Sequence, residues 1–159
     1  MGMTNEEFRK MMNERIERIT SGDVSFGGIT LGKMVFVDSD AEERSLTMDF
    51  TMDERDLNMQ GMLHGGVTCL LMDIIMGVLV YAYVGGGPPT VDMNVSFFRP
   101  VKAGETLRLR SQINHLGRTY IHTEADIKVL ASGKAAAKAT GMYMAKNWDE
   151  IMSQPGWKV

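Results

Sequence analysis

The sequence predicts an α+β fold in which one long helix packs on an antiparallel sheet of about six strands. Residues 67–84 are almost entirely apolar, which is typical of a helix that is buried on all sides. The segments after residue 90 alternate apolar and polar side chains, which is typical of strands with one buried face. Connections at Gly117-Arg118 and Ser132-Gly133 have the length of hairpin turns, so these strands are predicted to be antiparallel.

Near the N-terminus, residues 4–20 have the pattern of an amphipathic helix. Thr4 and Glu7 have the spacing of a capping box, in which each side chain accepts a hydrogen bond from the other residue's backbone. A loop is predicted over residues 21–28. The apolar stripe of the helix consists of Phe8, Met11, Met12, Ile16 and Ile19.

The remaining elements follow from periodicity and from turn residues. The central helix is predicted to run from Gly65 to about Tyr83, because three glycines and two prolines over residues 85–89 end it. The segment 134–145 is small and apolar enough to lie centrally in the sheet. Strands are predicted at residues 29–38, 44–52, 91–98, 107–114, 121–129 and 134–145, with a turn over residues 39–43.

Length and composition favour a single soluble domain. The chain has 159 residues, 44% of them hydrophobic and 23% charged, which is ordinary for a globular protein. A formal net charge of -3 argues against a nucleic-acid partner. The single cysteine, Cys69, allows no intrachain disulfide and fits the cytoplasm. We divide the chain into an N-terminal helix and loop packed on the domain (1–28), the main domain (29–146) and a C-terminal tail (147–159).

The central helix is also long enough to cross a membrane. In that case Asp73 would lie near the bilayer centre, and no Lys or Arg flanks the segment closely. A core helix is therefore the preferred interpretation, and no membrane partner is expected.

The most informative segment lies around the start of this helix. Helix N-termini present unpaired N–H groups and partial positive charge, and Gly65 and Gly66 lie at this one. Asp73 is an acid in an apolar helix, which is costly unless the acid is paired or used. Oxyanion donors together with a candidate base indicate acyl-transfer chemistry.

One helix cannot bring these two groups to the same carbonyl. Gly65 and Asp73 are eight residues apart, which is about 12 Å along a helix and about 80° around it. A base and an oxyanion donor must both lie about 3 Å from the reacting centre. Either the two features are unrelated or a second copy of the chain completes the site across a two-fold interface.

Three stretches together resemble the hot-dog-fold acyl-CoA thioesterases of the phenylacetate-pathway type, within the 4-hydroxybenzoyl-CoA thioesterase superfamily. They are Asn58-x-x-Gly61-x-x-His64-Gly65-Gly66, Asp73 nine residues after the histidine, and Val91-Asp92-Met93-Asn94. The resemblance runs from about residue 29 to residue 146. It implies a central helix wrapped by a sheet, sites shared by two subunits, homodimers that pair into homotetramers, an acyl-CoA substrate and no cofactor or metal.

The resemblance also implies catalytic roles. Asp73 would act as general base or nucleophile on the thioester, and the Gly65 N–H would hold the developing oxyanion. Asn58 would orient the attacking water or assist the carbonyl contact. His64 would brace the loop and hydrogen-bond the substrate. Thr90, where the family often has serine, would hold the water. For the CoA moiety, the implied contacts are Gly66, Arg99, Lys102 and Arg118.

Structural alternatives accompany these roles. Asp73 could be an acid bonded to a neighbouring strand, and His64 a satisfied loop histidine. Asn58 could be only a turn residue, and the glycine pair could serve a tight turn. Gly77, one turn after the acid, leaves room either for an acyl chain or for close packing.

The leading functional hypothesis is a thioester hydrolase that uses Asp-assisted water attack at a subunit interface. The alternatives are a non-catalytic dimer that binds acyl-CoA or another small ligand, and a hydratase or dehydratase of the same fold. Other chemistries lack their motifs, since the chain has no Gly-x-Ser-x-Gly elbow and no His-Glu-x-x-His metal spacing.

Overall fold

The computed structural model describes residues 4–20, 30, 32–85 and 87–145. Besides the helical residues Thr30 and Gly32, the described residues form two α-helices, one 3₁₀ helix and six strands. In chain order they are α1 (Asn5–Thr20), β1 (Met34–Asp40), β2 (Ser45–Thr51), the 3₁₀ helix Glu54–Asp56, α2 (Gly65–Val84), β3 (Thr90–Phe97), β4 (Thr106–Leu116), β5 (Tyr120–Val129) and β6 (Ala135–Met144).

All six strands form one antiparallel sheet in the order β1-β2-β4-β5-β6-β3. The hairpins at Gly117-Arg118 and Ser132-Gly133 join neighbouring strands, as predicted. β6 lies between β5 and β3, so its predicted central place is correct. The edges of the sheet are β1 and β3, and β3 reaches its place by crossing from β2 through α2.

α2 lies on one face of the sheet and forms the centre of the core. It contacts all strands from β2 to β6. Its length and composition would suit a membrane span, but here the sheet packs along it, so the predicted core helix is confirmed. It is not buried on all sides as predicted, since side chains such as Val67, Leu70 and Ile74 are only partly buried. The helix ends at Gly85, whose φ of 74° is left-handed. Its buried residues are Thr68, Leu71, Met72, Ile75, Met76, Val78, Leu79 and Val80.

α1 covers β1 and the end of α2, and it begins with the predicted capping box. The Glu7 N–H donates to the Thr4 hydroxyl at 3.2 Å, and the Thr4 N–H donates to the Glu7 carboxylate at 2.8 Å. Arg15 donates to the carbonyls of Tyr81 and Ala82 at 3.0 and 2.9 Å, which places a cation at the negative end of α2. Of the predicted stripe, Phe8, Met12 and Ile16 are buried and Met11 is partly buried. The side chain of Ile19 lies outside the described residues.

The boundaries near β1 differ from those predicted. Thr30 and Gly32 are helical, so the strand predicted from residue 29 begins only at Met34. It then continues through the first two residues of the predicted turn, because the Asp40 carboxylate accepts the N–H groups of Glu42 and Glu43 at 2.8 Å. The turn therefore begins two residues later than predicted. The predicted loop 21–28, the tail 147–159 and the domain limits at 29 and 146 lie outside the described residues.

Candidate active site

The Asp73 carboxylate is held by hydroxyl groups from two neighbouring strands. The Thr90 hydroxyl on β3 donates to Asp73 Oδ1 at 2.8 Å, and the Tyr143 hydroxyl on β6 donates to the same oxygen at 3.0 Å. Thr90 and Tyr143 are directly paired in the β3–β6 register, so their side chains reach the helix from one place on the sheet. The structural alternative drawn from the sequence is therefore correct in that the acid is bonded to neighbouring strands, and its catalytic role stays a prediction.

Tyr143 was not predicted from the sequence. Its side chain is buried, and burial raises the pKa of its hydroxyl well above the usual range, with the Asp73 charge raising it further. The hydroxyl therefore stays protonated and acts as a donor. It also lies 3.2 Å from the Asp73 backbone carbonyl. The one sign of it in the sequence was a large tyrosine among the small residues of β6. The neighbouring sequence does not show that β6 pairs with β3, so it could not place this tyrosine beside Asp73.

Two glycines flank the Tyr143 ring between helix and sheet, and one of them makes room for it. A Cβ atom on Gly141 would lie 2.9 Å from the Thr123 hydroxyl and 3.0 Å from the Tyr143 ring. A Cβ atom on Gly77 would meet the same ring at 3.8 Å, an ordinary contact. The space beside Gly77 thus holds an aromatic ring, and a methyl group would still fit there.

His64 is the N-cap residue of α2. The Nδ1 atom of its ring accepts the Gly66 N–H at 2.9 Å, and its backbone N–H donates to the Asp56 carbonyl at 2.8 Å. A Cβ atom on Gly66 would lie 3.1 Å from Nδ1, so a larger residue there would have to displace the His64 ring slightly. These contacts suit both the bracing role and the alternative of a satisfied loop histidine, and a hydrogen bond from His64 to substrate stays a prediction. The cap also commits the Gly66 N–H, which is therefore not free for a ligand while the cap is intact.

Gly65 provides a free donor at this helix end. It is exposed, and among the described residues no acceptor binds its N–H. A Cβ atom on Gly65 would lie 3.8 Å from the Phe97 ring at the far end of β3. Because α2 is one continuous helix, Asp73 lies about two turns and about 12 Å further along it. Within one chain, the acid and the donor do not converge.

Asn58 organises the loop before the helix. Its Oδ1 accepts the N–H groups of Gln60 and Met62 at 2.9 and 3.1 Å. Its own N–H donates to the Met62 carbonyl at 2.7 Å, and Gly61 adopts a φ of 73° in the turn. The side-chain oxygen thus serves the turn, which leaves the amide nitrogen as the group that could meet water or substrate.

The three predicted CoA cations lie at two ends of the molecule. Arg99 donates from Nε to the Ala135 carbonyl at 2.6 Å and lines a cavity of about 40 Å³ with Leu63 and Phe97, beside the N-terminus of α2. Lys102 pairs with Met62 in an isolated β-bridge at the same end. Arg118 is exposed in the β4–β5 turn, beyond the far end of an 11-residue strand and therefore roughly 30 Å away.

The histidines do not form a metal site in the described ranges. No group of three or more His, Cys, Asp or Glu side chains suited to a metal occurs among those residues. His115 and His122 meet edge-on with ring centroids 6.0 Å apart. His122 alternates with the buried Ile121 and Thr123, so it lies on the face of the sheet opposite α2. The expected absence of a cofactor stays a prediction.

Known proteins share this fold and part of this sequence. The family model described as the thioesterase superfamily matches residues 60–136. Human acyl-coenzyme A thioesterase 13 is 31% identical over 109 residues, which cover 68% of this chain and 76% of the human protein. A Caenorhabditis elegans protein named as an esterase is 33% identical over 94 residues, and the match spans 56% of its length, less than two thirds. The solved structure of a phenylacetic acid degradation-related protein from Ralstonia eutropha has a TM-score of 0.69 and 28% identity, covering 82% of this chain and 98% of that one.

Proposed function

Because the chain belongs to the thioesterase superfamily and has its hot-dog fold, we propose that it hydrolyses the thioester of an acyl-CoA to a free acid and CoA. The relative named acyl-coenzyme A thioesterase 13 supports CoA as the carrier. The observation that carries the proposal is the Asp73 carboxylate. It lies on the same helix as the unpaired Gly65 N–H, and two hydroxyl groups hold it.

In the proposed reaction, Asp73 acts as general base. It takes a proton from a water molecule while the water oxygen attacks the thioester carbon. The carbonyl oxygen becomes an oxyanion, and the Gly65 N–H at the positive end of α2 donates to it. When the intermediate collapses, the carbon–sulfur bond breaks and the leaving thiolate takes up the proton from Asp73. The products are the free acid and CoA.

The donor and the base would come from two protomers. In the single chain β3 is an edge strand of eight residues, and such an edge offers unpaired backbone groups to a partner. Val91, Phe97 and Phe98 on or beside it are 47%, 56% and 55% exposed. We propose that β3 pairs antiparallel with β3 of a second copy around a two-fold axis.

This pairing would assemble the site. Asp73 is bound to Thr90 at one end of β3, and Gly65 lies beside Phe97 at the other. A two-fold axis between antiparallel strands sets each end of β3 opposite the other end of its partner. Asp73 of one protomer would then face the partner's Gly65.

The same symmetry would bring the separated cations together. Arg99 and Lys102 lie at the Gly65 end, and Arg118 lies at the Thr90 end. Across the two-fold axis, Arg118 of one protomer would approach the partner's Arg99 and Lys102, where they could share the CoA phosphates. The cytoplasmic location and the assembly of dimers into a tetramer stay predictions from the sequence and its resemblance.

The test measures free-thiol release from a panel of acyl-CoA substrates, with light scattering to determine the oligomeric state. We expect turnover by a wild-type dimer or tetramer and at least a hundredfold loss in Asp73→Asn, the scale of a lost general base. Asp126→Asn on the opposite face of the sheet is the matched control and should keep wild-type turnover. No thioester hydrolysis on any substrate would favour the non-catalytic binding dimer, and hydration of enoyl-CoA instead would favour the hydratase. A fully active monomer would contradict the shared site.

A further inference from the structure

Resting on this proposed function, the geometry points to a further assignment: Tyr143 is a positioning residue that, with Thr90, holds Asp73 by Oδ1 and leaves Oδ2 as the reactive oxygen. The relevant atoms are the two hydroxyls and the two carboxylate oxygens. Both donors reach Oδ1, at 2.8 and 3.0 Å. No hydrogen bond to Oδ2 occurs among the described residues.

The two donors fix the plane of the carboxylate. An ionised carboxylate has about four acceptor positions, two on each oxygen. Thr90 on β3 and Tyr143 on β6 fill those on Oδ1 from two directions. Rotation of the carboxylate out of this plane would break both hydrogen bonds, whereas a half-turn only exchanges two equivalent oxygens. One oxygen is therefore always held by the two hydroxyls, and the other, here Oδ2, keeps a single orientation. A general base requires that orientation, because proton transfer from water needs an oxygen at hydrogen-bond distance along a defined direction.

Tyr143 is itself held rigidly. Its ring is buried between α2 and β6, with Gly77 on one side and Gly141 on the other. Its backbone is fixed within the sheet, because Tyr143 on β6 is paired with Thr90 on β3. Burial keeps the phenol protonated, since ionisation next to the Asp73 charge is disfavoured. The residue is therefore a permanent donor with a single orientation.

A purely structural role would have a different consequence. In that case the Tyr143 hydroxyl would donate its proton only to the Asp73 backbone carbonyl at 3.2 Å. Removal of the hydroxyl would then lower the stability of the fold without a separate effect on the chemical step. The contact to Oδ1 is made to a charged carboxylate oxygen, which accepts a stronger hydrogen bond than a neutral carbonyl does, and this favours the positioning role.

The test compares Tyr143→Phe with Tyr83→Phe. Tyr83 is a matched control, because its hydroxyl is buried and has no hydrogen-bond partner in the described part of the chain. We expect Tyr143→Phe to lower kcat by about tenfold or more while KM stays within about twofold, as for a lost hydrogen bond to a charged group. Tyr83→Phe should keep wild-type kcat. Melting temperature and the folded fraction are measured for both variants.

Three results would overturn the assignment. One is wild-type kcat in Tyr143→Phe while Asp73→Asn is inactive, which would leave the proposed function standing. The second is a rate loss in Tyr143→Phe that the folded fraction alone accounts for. The third is wild-type kcat in Asp73→Asn, which would remove both the proposed mechanism and this assignment. If Tyr143→Phe does not fold, Thr90→Val on the exposed edge strand removes the other hydrogen bond to Asp73 Oδ1. Wild-type kcat in Thr90→Val would then reject the assignment.

Discussion

Thr90 donates a 2.8 Å hydrogen bond to Asp73, although seventeen residues and a helix terminus separate the two in the chain. The hydroxyl, and not the side-chain shape, makes this contact. Thr90→Val should therefore lower kcat by about tenfold, the size expected for a hydrogen bond to a carboxylate. Thr90→Ser should recover most of that loss because it restores the donor. Steady-state kinetics on a hydrolysed acyl-CoA measure both, and equal rates for Val and Ser would show that the hydroxyl is not used.

The Gly65 N–H can be removed without disturbing the helix. Proline lacks the N–H group and is well tolerated at the first position of a helix. His64 has φ -66° and ψ 133°, which a residue before proline readily adopts. We expect Gly65→Pro to lower kcat by about 100-fold or more, as for a lost oxyanion donor.

Gly65→Ala is the control for this change, since it keeps the N–H and its Cβ would meet Phe97 at an ordinary 3.8 Å. It should retain most of the activity. Circular dichroism checks that both variants keep their helix content. Equal loss in Ala and Pro variants would point to packing at Phe97 and not to the donor.

Mixing two inactive variants tests the shared site directly. In a heterodimer of Asp73→Asn and Gly65→Pro, one of the two sites combines an intact acid with an intact donor from the other protomer. Random assembly makes half of the dimers heterodimers, so co-refolding should restore about a quarter of wild-type activity. Sites contained within one chain would show no restoration.

Local sequence signals predicted much of the fold. The capping box at Thr4 and Glu7, the start of α2 at Gly65 and its end at Gly85 all depend on residues within a few positions of one another. Such interactions can be read from spacing alone. The same is true of the hairpins that join β4, β5 and β6.

Features set by distant residues were missed. The pairing of β6 with β3 brings Tyr143 to Thr90 across 53 positions, and no local pattern encodes that order of strands. The start of β1 was misplaced because apolar residues near Thr30 do not distinguish a helical turn from a strand. The sequence does not decide between a catalytic role and a turn role for Asn58, because the hydrogen bonds of its side chain depend on how the loop closes.

The neutral form of Tyr143 should make stability sensitive to alkaline pH. Its pKa is raised in the folded state by burial and by the Asp73 charge, whereas in the unfolded chain it lies near its usual value of about 10. The unfolded state therefore loses this proton first as pH rises. The stabilisation by the neutral hydroxyl is complete below about pH 10 and declines above it.

The measurement is urea denaturation of wild type and Tyr143→Phe at pH 8 and near pH 11. We expect the variant to be about 1 kcal/mol less stable at pH 8, for one lost hydrogen bond, and the difference to shrink or reverse near pH 11. Tyr120→Phe, at a 42% exposed position, is the control and should show no such change. A constant difference between wild type and Tyr143→Phe at both pH values would contradict the argument.

Gly141 and Gly77 flank the same ring but should respond differently to alanine. On Gly141 the new Cβ would lie 2.9 Å from the Thr123 hydroxyl, 3.0 Å from the Tyr143 ring and 3.1 Å from the Met76 methyl. Relief of these contacts would push the ring away from Asp73, so Gly141→Ala should cost about 1–3 kcal/mol of stability and also lower kcat.

On Gly77 the nearest atom to a new Cβ is at 3.8 Å, and alanine is the better helix former by about 1 kcal/mol. Gly77→Ala should thus be neutral or stabilising with normal kcat, as thermal melting and kinetics can check. Equal behaviour of the two variants would mean that the Tyr143 ring adjusts freely and that its position does not depend on these glycines.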